Sequence, residues 1–146
     1  MPKRFTLDEA QRLIPEVERM VQEAVSIKSE FDEAEREQQS FTERIMLLGG
    51  VLVDRTRAFE IRNRREAALS RLRNAIEQVQ GLGCVVKDLD MGLVDFPTLF
   101  RGEEVYLCWK LGEDAIEFWH GVDEGFRGRK AIDQDFRDHH RGDSEQ

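Results

Sequence analysis

The sequence is poor in the residues that usually announce a mechanism. Among 146 residues there are two cysteines, three histidines, three prolines and one tyrosine. Cys84 and Cys108 can close at most one bridge, too few for a disulfide scaffold, so a reducing, cytoplasmic setting is expected. No apolar run is long enough to cross a membrane as a helix. Met1-Pro2-Lys3-Arg4 leads into no apolar stretch, so no secretory signal is expected. The formal net charge of −8 argues against general binding to nucleic acid or anionic membranes, although a local basic patch survives such a sum. What remains is a highly charged chain, 36% Asp, Glu, Lys and Arg, of a length that suits one domain.

The composition changes at Gly81. All the histidines, cysteines and tryptophans and the tyrosine follow it. Before it the chain reads as helix. Thr6-Leu7-Asp8-Glu9 is a capping box. Apolar residues then recur in heptads: Leu7, Ile14, Val21; Ala10, Val17, Ala24, Phe31; Leu13, Met20, Ile27, Ala34. Three rows in seven make a broad, coiled-coil-like stripe. Pro15 lies inside it, so one bent helix over about 6–38 is expected. Ser40 with Glu43 reads as a second capping box, opening a helix over about 41–80. Ile45, Leu48 and Leu52 form one apolar patch of that region, and Gly49-Gly50 interrupts it.

The two helices differ in sign. Residues 8–37 hold ten acidic and four basic side chains, and residues 54–73 hold seven arginines and three acids. An arginine ridge for nucleic acid is one reading. Mutual neutralisation of two antiparallel helices is favoured, because the acidic partner lies in the same chain. The breadth of the apolar stripe also leaves room for a second copy, so a homodimer through the hairpin is expected.

After Gly81 the pattern is that of strands. Cys84–Leu89 and Leu93–Phe96 flank a turn at Asp90-Met91-Gly92, and Pro97 is expected to stop the second strand. Arg101-Gly102 is a turn, and residues 104–111 alternate. A two-residue loop at Glu113-Asp114 would set Leu111 opposite Ile116, Trp109 opposite Phe118 and Leu107 opposite His120. On the reverse face Lys110 would meet Glu117 and Cys108 would meet Trp119. His120 is then expected at a strand end, turned inward beside the aromatic residues. Residues 133–146 are polar apart from Phe136 and read as a disordered tail.

Three groups could carry chemistry. Asp88, Asp95, Glu113, His120, Asp123 and Glu124 are acids around one histidine, and Asp88, Asp95, His120 and Asp123 are the candidate ligands for a divalent metal such as zinc, iron or manganese. The alternative is that Asp88 and Asp95 bond turn amides while His120 caps an edge. Gly125-Phe126-Arg127-Gly128-Arg129-Lys130 could cradle an anion, or form a flexible basic loop paired with the acidic tail. Cys108 has aromatic, uncharged neighbours in the expected register, which does not activate a thiol.

Several segments resemble a prokaryotic family catalogued as domain of unknown function 2203. They are Leu82–Leu89, Gly92-Leu93-Val94-Asp95-Phe96-Pro97, Leu107–Glu113, Trp119-His120 and Gly125–Arg129, with Phe5–Ala10 and Leu13–Val17 resembling its first helix. The resemblance spans about residues 5–130 and implies a fold, with no activity attached. It draws attention to Lys87, Asp88, Asp95, Glu113, His120 and Arg129, polar positions that packing does not obviously require. The expected architecture is α+β: a long antiparallel helical hairpin followed by a small antiparallel sheet of three or four strands over 84–120. The expected function is binding or interaction without catalysis. The alternative is a small divalent-metal-dependent or acid–base enzyme built on Asp88, Asp95 and His120, with Lys87 and Arg129 holding an anionic substrate; Arg127 of the basic loop is a further ligand-binding candidate.

Overall fold

A computed structural model describes residues 3–49 and 54–143. Helix α1 runs over Leu7–Leu47 and helix α2 over Arg55–Gln80. The capping box closes α1: the Glu9 amide donates to Thr6 Oγ1 at 3.1 Å and the Thr6 amide to Glu9 Oε1 at 2.9 Å. These bonds satisfy two donors that the first turn would otherwise orphan. The expected break near residue 40 is absent. The second capping box does not form, and α1 continues to Leu47 before Gly49 adopts φ 70°. Ser40 tolerates a helix interior, whereas a glycine in the left-handed region ends one. Leu52 and Gly50 lie outside the described residues.

The helices are antiparallel and cross-linked by charge. Arg71 pairs with Glu30 at 3.0 Å, Arg65 with Glu35 at 3.5 Å and Arg57 with Glu37 at 2.8 Å, and Arg64 also bonds Glu37. Four arginines of the ridge therefore face acids of α1. These pairs are exposed and each contributes about 1 kcal/mol at most. Packing does more: Ile14, Val17, Val21, Ala24, Ile27 and Ala34 are buried along α1, and Ile61, Ala68, Leu72 and Val79 along α2.

Six antiparallel strands follow, more than the three or four expected. β1 (Val85–Asp88), β2 (Leu93–Phe100), β3 (Glu103–Lys110), β4 (Phe118–Gly121) and β5 (Lys130–Ala131) lie in that order, and β6 (His140–Arg141) pairs with β2. One face carries Val94, Phe96, Val105, Leu107 and Trp109, which join Leu7, Ala10, Ile14, Val17 and Val21 of α1 in the core. Gly92 is required at the β1–β2 turn: its φ is +67°, and a Cβ there would lie 2.5 Å from the Leu111 Cβ.

Three further expectations fail for identifiable reasons. Pro97 does not stop β2, which runs through it to Phe100. Its carbonyl accepts from the Phe5 amide at 2.7 Å, on the side away from β3, so its missing N–H costs no bond to that strand. The β3–β4 register is displaced by one residue, with Cys108 opposite Phe118, Tyr106 opposite His120 and Leu107 opposite Trp119. The connection is longer than two residues, because Ile116 is held by α1, its amide donating to Gln11 Oε1 at 2.8 Å. The slip moves His120 from the core face to the opposite one.

The tail is ordered as far as Asp143. Helix α3 (Gln134–His139) is capped by Asp133 and buries Phe136 against Phe100 and Trp119, with ring centroids 4.8 and 5.0 Å away. His140 Nε2 accepts from the Leu7 amide at 3.0 Å, and Asp143 bonds Arg4. One aromatic anchor outweighs a polar average. Residues 144–146 lie outside the described residues.

Candidate functional site

Antiparallel pairing brings together three chemically capable side chains on the sheet face turned away from the core. Asp95 of β2 lies opposite Cys108 of β3, and His120 of β4 lies opposite Tyr106, one step along the same face. Asp95 and Cys108 are 0% exposed and His120 is 3% exposed. His120 Nε2 stands 3.0 Å from both carboxylate oxygens of Asp95. Its Nδ1 stands 2.8 Å from the Gly121 carbonyl. A carbonyl only accepts, so Nδ1 carries a hydrogen, and Nε2 is left to share a proton with Asp95.

Burial pushes the Asp95 carboxyl above the usual aspartate range, and the His120 hydrogen bond opposes part of that rise. Burial, reinforced by the Asp95 charge, raises the Cys108 thiol to about 12. The thiol therefore stays protonated beside the carboxylate and is no free nucleophile. Cys84, which donates to the Val79 carbonyl at 3.3 Å, is raised by burial to about 11.

A ring of contacts surrounds this trio. The Tyr106 ring lies 5.5 Å from the His120 ring, with Lys87 Nζ 4.9 Å above Tyr106. Arg129 donates to Glu113 at 2.7 and 3.0 Å and to the Cys108 carbonyl at 3.2 Å. Its guanidinium lies 4.1 Å from the Phe118 ring centroid and 4.8 Å from that of Phe126, pinning the segment after β4 against β3. Glu124 accepts from the Gly121 amide at 2.9 Å and from Lys130 at 2.6 Å. The Lys130 bond, then that amide, hold its carboxyl below the usual range.

The structure thus sorts the expected residues. Asp95 and His120 meet. Asp88 instead accepts from the Met91 amide at 3.2 Å, as a turn aspartate does. Asp123 is exposed in the turn after β4, and Arg127 is exposed in a 3-10 turn over Phe126–Gly128. Glu113 and Arg129 pair with each other, and Lys87 sits at the rim. The basic loop is tied to Glu113 and Glu124 in place of the acidic tail. Sequence reasoning missed Cys108 as a member of the group. The signal was present: a two-residue turn at Arg101-Gly102 sets Phe100 opposite Glu103, and counting back places Asp95 opposite Cys108.

A helical hairpin whose first helix roofs one face of an antiparallel sheet, with an acid–thiol–imidazole trio buried on the other, defines an α+β protein with a polar centre in its sheet. The chain belongs to the family described as "Uncharacterized conserved protein (DUF2203)", whose model matches residues 3–132. No curated protein and no solved structure matches the chain. Among the described residues, no helix is long and apolar enough to cross a membrane.

Proposed function

We propose that the protein works by association, pairing with a second copy of itself through the end of its helical hairpin where α1 gives way to α2. The observation that carries this reading is where the exposed apolar side chains lie. Among the described residues five large ones are exposed, and four of them, Met46, Leu47, Leu48 and Phe59, belong to that end. Leu47 is 85% exposed and Met46 75%. Beside them a groove of about 390 Å³ opens between the helices, lined by Phe41, Ile45, Phe59 and Ile61. Concentrated apolar surface of this kind is costly to leave in water and marks an interaction site.

The charges at the rim favour a like partner. Arg55 and Arg62 border the groove, and Glu35 and Glu43 border the neighbouring hollow on α1. A two-fold axis through the end of the hairpin sets the basic rim of one copy against the acidic hollow of the other, as self-complementary interfaces require. Sedimentation velocity on the full chain tests this. A dimer is expected, and Leu47→Glu combined with Phe59→Glu should convert it to a monomer with unchanged helical circular dichroism. A wild-type monomer at every concentration overturns the reading.

A further inference from the structure

We propose that Asp95, Cys108 and His120 together bind one divalent transition-metal ion, zinc by ligand type, on the sheet face opposite the helices. One ligand atom from each residue can be chosen so that all lie within 4.8 Å of one another. Around a tetrahedral zinc ion, with bonds of about 2.0–2.3 Å, ligand atoms stand roughly 3.3–3.8 Å apart. The 3.0 Å separation of His120 from Asp95 needs only a small opening to admit the ion. All three residues sit on adjacent paired strands, so the backbone fixes their spacing.

The imidazole is already held as a metal ligand would be. Its Nδ1–H donates to the Gly121 carbonyl at 2.8 Å, which aims Nε2 at the carboxylate and the thiol. Arg129 plays a related part on the neighbouring strand by holding the Cys108 carbonyl. Neither contact depends on an ion being present.

Charge balance selects a dication. Without metal the trio comprises a neutral thiol and an Asp95–His120 pair sharing one proton, so its net charge is zero. Binding forms bonds from the ion to Cys108 Sγ, Asp95 Oδ and His120 Nε2. It breaks the S–H bond and removes the shared proton, and two protons leave to solvent. A dication with one carboxylate, one thiolate and a neutral imidazole again sums to zero. A buried site resists any other total, since an uncompensated charge there is expensive. A thiolate beside an imidazole favours zinc over magnesium or calcium. Three protein ligands also leave one tetrahedral position open, as in catalytic zinc centres, where a water or a substrate oxygen binds.

The test uses the full chain, stripped with chelator, and metal alone as the probe. Cobalt(II) should bind one-to-one, produce a thiolate-to-cobalt charge-transfer absorption, and be displaced by zinc. Zinc binding in weakly buffered solution should release about two protons per ion. Cys108→Ser should abolish the charge-transfer band, and His120→Gln should weaken zinc by about tenfold or more. If either variant fails to fold, the band and the proton count of the wild-type chain decide alone. Binding that survives Cys108→Ser and His120→Gln but disappears in His139→Gln places the ion on α3 and overturns the proposal. Absence of the band in natively folded wild-type protein overturns it as well.

Discussion

At the scale of single residues, Asp95 makes one contribution to stability depend on pH. Burial raises the native Asp95 pKa above its ordinary value of 3.8, so the native state holds that proton more tightly than the unfolded chain does. The contribution is fully present below the ordinary value and is lost as pH rises through the raised one. Asp95→Asn removes the titration. The stability of the wild-type chain relative to this variant should therefore fall as pH rises from about 3.8, as read by urea unfolding at a series of pH values. An exposed, ion-paired carboxylate would give the opposite slope. A second prediction concerns the close approach at Gly142, where a Cβ would lie 2.7 Å from the backbone of Phe5 and Thr6. Gly142→Ala should destabilise by about 1–3 kcal/mol in denaturant unfolding, because backbone cannot yield as a flexible side chain does.

At the scale of elements, α3 and β6 depend on one ring. Phe136→Ala should cost about 3–5 kcal/mol, and amide exchange should quicken over 134–141 before the rest of the sheet responds. Trp119 packs against that ring, so its fluorescence should report the loss. The cross-helix ion pairs should behave differently. Glu37 serves both Arg57 and Arg64, yet Glu37→Ala should lower stability by no more than about 1 kcal/mol in denaturant unfolding, and less in high salt.

The elements also show how far a sequence can be read. The heptads of α1, its capping box and the Arg101-Gly102 turn follow from local pattern. The helix boundary at Leu47 was harder to see, because Ser40-Glu43 imitates a start although Ser40 tolerates a helix interior, and the helix ends only before Gly49. The β3–β4 register was misplaced because its determinant, the Gln11–Ile116 bond, joins residues 105 positions apart. That one step decided which face His120 occupies, and with it the identity of its neighbours. Asp88 and Asp123 looked equivalent to Asp95 only while the strand pairing was unknown.

At the scale of the whole molecule, α1 is a rod of 41 residues, about 60 Å long at 1.5 Å per residue. One end roofs the sheet and the other carries the exposed leucines. A charge change at Asp95 is screened within roughly 10 Å of salt solution, so it cannot be sensed electrostatically at the far end. Two copies joined there would form a dumbbell with lobes on the order of 100 Å apart, and small-angle scattering should show it as a long-tailed distance distribution. Each lobe would titrate and load as though alone. The unbroken helix acts as a spacer, so coupling between the lobes could come only from the mechanical stiffness of the shaft.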